Sequence, residues 1–221
     1  MSKMKILLTS LSLLLALACG GGSSFSPLPV ASSVQYQDPV VTSSDWALLR
    51  DAAASTSTHL VLRLVGPQGE LFRGAGFNLK VDTTKVKFAR FKDAPGNTLG
   101  YLLDNGVFHD VDEALNQVPC LLTVSGVKGD TLSAGIFQKC LRFPVVQGYY
   151  SAPSGSQNVN DAVDCSSIPT MKIALDLNTS QQLHPGSVTL AITKAGVIPN
   201  EVSNVGKPVR VAIKVGTLTL Q

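Results

Sequence analysis

An apolar residue at every second position, in run after run, constrains this chain more than any other feature. Leu60, Leu62 and Leu64 alternate with Val61, Arg63 and Val65. Phe77, Leu79 and Val81 alternate with Asn78 and Lys80, and Val86 and Phe88 continue with Lys85 and Lys87 opposite. Met171, Ile173, Leu175 and Leu177 form a third set, Val188, Leu190 and Ile192 a fourth, and Val209, Val211, Ile213 and Val215 a fifth. A period of two sends successive side chains to opposite faces of a pleated strand, whereas a helix would scatter them. One apolar face and one wetter face per run is the pattern of antiparallel sheets packed on one side. Gly66-Pro67-Gln68-Gly69, Gly126-Val127-Lys128-Gly129-Asp130 and His184-Pro185-Gly186 supply the reversals,. The second of these makes 120–126 the hairpin partner of 131–139. Regular strands with short turns predict an all-β fold, an antiparallel β-sandwich. One or two short helices are expected beside it. One spans 45–54, with Trp46 docking it onto the sheet. The other starts at Asp110, where Glu113 completes a capping-box pattern,. Residues 144–168 read as a long loop, of a kind that is either functional or stapled.

The first residues read as an export signal. Lys3 and Lys5 supply a positive start, and residues 6–18 are apolar apart from Thr9, Ser10 and Ser12. That run is too short to span a bilayer stably. It ends Leu15-Ala16-Leu17-Ala18-Cys19, which resembles the lipobox of bacterial lipoproteins, although Ala16 stands where that family more often has Leu. The resemblance implies cleavage after residue 18 and acylation of Cys19 by diacylglycerol and palmitate-type chains, with membrane lipid as the partner. Two or more chains make such an anchor stable where one does not. Gly20 after the cysteine implies the outer membrane under the enteric sorting rule. Gly20-Gly21-Gly22-Ser23-Ser24, followed by Pro27, Pro29 and Pro39, reads as a tether,. The expected organisation is therefore a signal peptide at 1–18, a lipidated cysteine and flexible tether at 19–44, and one sandwich domain at 45–221.

Charge and cysteines narrow the partners. Losing Lys3 and Lys5 leaves 16 of the 18 basic residues against 15 acidic ones, with no basic tract. Nucleic-acid binding then lacks its electrostatic basis. With Cys19 acylated, Cys120, Cys140 and Cys165 remain. An exported compartment permits one bridge among them. Cys140–Cys165 is favoured because it staples the long loop, and Cys120–Cys140 is the alternative. The spacings match no zinc knuckle, C-x-x-C pair or haem attachment.

The succession of strands resembles a known family. His59-Leu60-Val61-Leu62-Arg63-Leu64 is followed by Gly76-Phe77-Asn78-Leu79-Lys80-Val81 and Lys85-Val86-Lys87-Phe88. Later come Ile173-Ala174-Leu175, a Pro185-Gly186 step and Val188-Thr189-Leu190-Ala191-Ile192. Over 58–221 this order is similar to the cohesin-like and carbohydrate-binding-module-like sandwiches of bacterial surface proteins. The resemblance implies a jelly-roll or Ig-like sandwich that binds or scaffolds, and it carries over no functional residues.

Candidate chemistry is sparse. His59, His109 and His184 are far apart in sequence, and no G-x-S-x-G or H-E-x-x-H is present. Phe108-His109-Asp110 with Asp112 and Glu113 reads as a solvated helix start. Asn158, Asn160, Asp161 and Asp164 place oxygen atoms at spacings that suit Ca²⁺, but the EF-hand spacing and its bidentate Glu are missing, and these residues also form turns. Tyr149 and Tyr150 lie in the same long loop and are candidates for stacking on a sugar or a protein. The sequence therefore predicts a non-enzymatic, lipid-anchored module at the cell envelope, with no catalytic residues and no cofactor. Its partner is a protein or polysaccharide, and the alternative is a carbohydrate-binding module at the cell surface.

Overall fold

The computed structural model describes residues 27–103, 110–111, 117–118, 121–138, 163–164, 171–199 and 207–221. These residues form strands and turns. The strands are β1 (Val34–Gln37), β2 (Trp46–Arg50), β3 (His59–Val65), β4 (Leu71–Val81), β5 (Val86–Ala89), β6 (Leu102–Leu103), β7 (Asp110–Val111), β8 (Gln117–Val118), β9 (Leu121–Lys128) and β10 (Thr131–Gln138). There follow β11 (Val163–Asp164), β12 (Lys172–Leu177), β13 (Gly186–Val188), β14 (Leu190–Pro199), β15 (Val209–Arg210), β16 (Ile213–Lys214) and β17 (Thr217–Leu220).

Two sheets face each other across one core. The first runs β15-β14-β4-β10-β9, with β11 also paired to β4. The second runs β16-β2-β3-β12-β5, with β6 also paired to β12. Among the described residues every pairing in these two sheets is antiparallel except β16 with β2. Leu48, Leu60, Leu62, Leu64, Ile173 and Leu175 of the second sheet meet Phe77, Leu79, Val81, Leu132 and Ile136 of the first in one buried cluster. The alternation thus resolves as expected: the inward set of each run is the core, and the fold is an all-β sandwich. The 121–128 and 131–138 strands form the expected hairpin, its turn eased by Gly129 at φ 61°,. The Gly66 to Gly69 reversal joins β3 to β4, with Gly69 at φ 80°.

Three expectations need correction. Neither short helix is found among the described residues. Residues 46–50 are strand β2, hydrogen-bonded to β3 and β16, and Asp110–Val111 pairs with Gln117–Val118. A four-residue apolar run suits either structure, and here two long-range partners decide for strand. Trp46 does pack on the core, edge-to-face with Phe72 at 5.6 Å between centroids, but from within the sheet,. The segment read as tether also contributes a strand. β1 pairs with β17, which pairs with β13 in a small third sheet, and Ala31, Val34 and Tyr36 are buried. Finally, the Val209 to Val215 run is not one strand: β15 belongs to the first sheet and β16 to the second, so the chain crosses between sheets there.

Tyr36 fastens β1 to both neighbours. Its hydroxyl donates to the Leu48 carbonyl at 2.8 Å and accepts from the Gly216 N–H at 2.6 Å. Burial pushes this hydroxyl up to about 12,. Just before β1, the Ala31 N–H donates to the Leu183 carbonyl, and those of Ser32 and Ser33 donate to the Gln221 carbonyl. Residues 31–33 therefore enter the domain beside Leu183 and Gln221.

Candidate functional site

Strand β4 alternates inward Ala75, Phe77 and Leu79 with outward Gly74, Gly76, Asn78 and Lys80. On β10 the outward set is Ser133, Gly135 and Phe137, and on β14 it is Lys194, Gly196 and Ile198. Register then aligns the outward residues across the sheet. Val124 of β9 stands opposite Gly135, Gly135 opposite Gly76, Gly76 opposite Gly196, and Gly196 opposite Arg210 of β15. Three adjacent strands thus present bare backbone in one row, about 10 Å wide at the usual strand spacing. Glycine weakens a strand interior, and it marks places where a ring, a ligand or another backbone comes close.

Part of that close approach is internal. The Phe137 ring lies over Gly74, Gly76 and Gly135: a Cβ built on these would come within 2.6 Å, 3.0 Å and 2.5 Å of ring atoms. An apolar ring therefore rests on the solvent side of the sheet. Beside it opens a groove of about 520 Å³, bordered by Val124, Asn78, Ser133, Lys194, Pro208 and Arg210. Val124 is 46% exposed, so apolar surface lies open at the β9 end of the row, while Arg210 closes the other end. The groove can take a flat or branched apolar group against its floor, with amide, hydroxyl and cationic groups along its rim.

A second groove of about 520 Å³ lies where the chain crosses between sheets, bordered by Thr193, Lys194, Arg210, Val211 and Ala212. It adjoins the first through Lys194 and Arg210. A β-bulge in β14 between Ile192 and Lys194 opens it,.

Most residues singled out from the sequence fall elsewhere. Cys19, Cys120, Cys140, Cys165, His109, Tyr149, Tyr150, Asn158, Asn160 and Asp161 lie outside the described residues. The backbone of Asp164 pairs with Leu71 in β11. His59 stands directly opposite Asp176, and its Nδ1 lies 2.5 Å from the Asp176 carboxylate. This is a cross-strand polar pair on the second sheet, of the kind that stabilises register. His184 Nδ1 is 2.9 Å from the Pro29 carbonyl, at the entry of the chain. No three His, Cys, Asp or Glu side chains converge among the described residues. Sequence reasoning missed the glycine row. Gly74-Ala75-Gly76, two glycines two apart within a strand, was the signal available for it.

No protein-family model and no curated protein matches the chain. Among solved structures it is similar to a type II cohesin–X-dockerin complex from Acetivibrio cellulolyticus, with 11% identity over 78% of this chain and 94% of that one, at a TM-score of 0.46. A type II cohesin domain from the cellulosome of the same organism gives 12% identity, 79% and 94% coverage and a TM-score of 0.43. A cohesin module from a Clostridium perfringens family 33 glycoside hydrolase gives 11% identity, 84% and 98% coverage and a TM-score of 0.36. At such identities and TM-scores no function passes from those proteins to this chain, and the sandwich described above rests on its own register and packing.

Proposed function

We propose that this protein is a non-enzymatic binding module, held at the cell envelope by an acylated Cys19, and that it docks a protein partner on the outer face of the β15-β14-β4-β10-β9 sheet. The observation that carries the docking reading is the row Gly135, Gly76 and Gly196 with Phe137 laid over part of it and Val124 exposed at its end. A flat, partly apolar face with a fitted recess is what a protein interface uses at its centre, where anchoring side chains seat in pockets. Anchoring by Cys19 is supported by the signal-like N-terminus and the following Gly/Ser stretch. The outer membrane is the destination that Gly20 favours.

A photo-crosslinking amino acid at Val124 in intact cells tests the docking face, with the same group at Lys87 on the opposite sheet as the reference. The expected result is a protein adduct from Val124 that Lys87 does not give and that Phe137→Ala weakens. Equal labelling from both positions would overturn the reading. Labelling of polysaccharide at Val124 would favour the alternative, a carbohydrate-binding module whose sugar ring lies against Phe137 with Asn78 and Ser133 alongside. Intact-mass analysis of the membrane fraction tests the anchor separately: a chain starting at Cys19 and carrying acyl mass is expected, and an unmodified full-length chain refutes it.

A further inference from the structure

The two outer faces differ in the sign of the charges they carry. On the second sheet both signs are present and several charges are paired, while Arg63 and Lys87 make no ion pair among the described residues. His59 meets Asp176 at 2.5 Å, Lys172 meets Asp51 at 2.6 Å, and at its edge Lys214 meets Asp45 at 2.7 Å. On the first sheet, the outward positions described on β9, β4, β14 and β15 carry Lys128, Lys80, Lys194 and Arg210. No acidic residue occupies any described outward position of those strands or of β10. Asp130, in the β9–β10 turn, engages Lys80 at 3.1 Å. Lys128, Lys194 and Arg210 make no ion pair among the described residues. Two of these three, Lys194 and Arg210, border the glycine groove.

We propose that the occupant of this groove is an acidic protein segment, which seats one apolar side chain against the Phe137 ring that covers the glycine row while its carboxylates meet Lys194 and Arg210. The inference rests on the reading that this face docks a protein, and it names the chemistry of that protein. A neutral or basic partner covering the groove would take two cations out of water without a counter-charge, which is strongly unfavourable. An acidic segment instead supplies charge-assisted hydrogen bonds, bidentate at the planar Arg210. The apolar recess separates this occupant from a purely anionic one. A polyanion satisfies the cations but leaves Val124, Phe137 and the groove floor against water, whereas an acidic segment with an apolar anchor satisfies both. Because the cations are exposed, attraction extends over about a Debye length, so association is fast at low salt and slows as salt is added.

The experiment selects from a random 12-residue peptide library on the intact chain and, in parallel, on Lys194→Glu/Arg210→Glu. Both replaced side chains are at the surface, and a thermal melt matching the unaltered protein establishes that the variant is folded. On the unaltered chain the enriched pool is expected to carry an excess of Asp and Glu around one aromatic or branched apolar residue. Its affinity is expected to fall about tenfold or more on the reversed variant, and to fall again between low and high salt. A pool without acidic bias, equal binding to both chains, or no enrichment over bare matrix overturns the proposal. So does binding of polygalacturonate in place of any peptide. The Val124 crosslink keeps the two readings distinct. If Val124 captures no protein in cells, the docking face itself fails; if it captures protein equally well in the reversed variant, only the acidic partner fails.

Discussion

Replacing Tyr36 by Phe removes one oxygen and two hydrogen bonds, and leaves the ring that fills the core. Tyr36 is 6% exposed, so neither the Leu48 carbonyl nor the Gly216 N–H gains ready access to water when the hydroxyl goes. Leaving buried polar groups unsatisfied costs about 1–3 kcal/mol each, so Tyr36→Phe should destabilise the domain by about 2–6 kcal/mol. For a domain of this size that is a fall in Tm of roughly 4–24 °C. The same oxygen predicts an alkaline signature. The folded hydroxyl titrates near 12 against 10.0 for the free side chain, so the folded state holds this proton more tightly than the unfolded one. The associated stability is fully present below pH 10 and drains away as pH rises towards 12, by about 3 kcal/mol for two pK units. Urea unfolding of both proteins at pH 7, 9, 10.5 and 11.5 separates the two effects. At pH 7 the variant should be weaker by the amount above, and the gap should narrow steadily beyond pH 10, because the variant has no proton to lose there. A variant within about 0.5 kcal/mol of the parent at pH 7, or a gap that does not change above pH 10, would refute the claim that this hydroxyl fastens β1.

Three further perturbations follow from particular contacts. Asp45 accepts from Lys214 at 2.7 Å and from the Thr42 N–H at 2.7 Å, and Lys214 above all holds its carboxyl down at about 2 against 3.8. This contribution is present above pH 4 and is lost as pH falls towards 2, so Asp45→Asn should be less stable at neutral pH and should converge on the parent in acid, as followed by circular dichroism. Gly66 leaves no room beside Trp46, since a Cβ there would lie 2.7 Å from the indole. Gly66→Ala should therefore lower the urea midpoint by an amount equivalent to about 1–3 kcal/mol, and an unchanged midpoint would show that the indole can shift freely. Gly135→Ala should destabilise because its methyl meets the Phe137 ring, while Phe137→Ala removes the obstacle. The double variant should then be more stable than the two single effects predict, by about 1 kcal/mol or more in a double-mutant cycle; strict additivity would mean that the ring does not rest on Gly135,.

The period-two runs were legible because the large apolar residues of one parity face the core. Leu60, Leu62 and Leu64 of β3, or Ile173, Leu175 and Leu177 of β12, are buried in this way, although Val61 and Ala174 at the other parity are buried too, in a small cluster with Ala89 on the outer side of the second sheet. Failures came where parity is ambiguous or where a partner far along the chain decides. Trp46-Ala47-Leu48-Leu49 is apolar at four successive positions, so its period says nothing, and β3 and β16 settle it. Val34-Gln35-Tyr36-Gln37 does alternate, but over four residues set among prolines, and its partner β17 lies at the other end of the chain. Val209 to Val215 alternates without interruption, yet a strand that changes sheets keeps its parity while it bends,. The functional face was least legible, for a related reason. Gly76, Gly135 and Gly196 are 59 and 61 residues apart, and only register brings them into line. Lys194 and Arg210 are ordinary surface residues until their strands are assigned to a face.

The glycines of that face answer to two different demands, and the difference bears on how the groove arises. Gly74, Gly76 and Gly135 are each occupied from above by Phe137, so the ring alone suffices to require them. Gly196 is not under the ring. A Cβ there would meet the Val209 carbonyl oxygen at 3.2 Å and Pro208 at 3.6 Å, so its smallness serves the close approach of β15. The groove thus lies between a ring pressed onto one side of the sheet and a crossing strand drawn in on the other. Each glycine gives up roughly 0.5–1 kcal/mol relative to Ala in a strand interior. Had the outer face only to meet water, polar β-formers such as Thr would fill these positions at lower cost, and Phe137 would not be needed on the solvent side. The arrangement becomes economical if Phe137 is covered, because burying the remainder of its ring contributes at about 25 cal/mol per Å² on association. An apolar floor of this kind, rimmed by cations that find no ion partner among the described residues, therefore has its physical reason in what lies over it rather than in the core beneath.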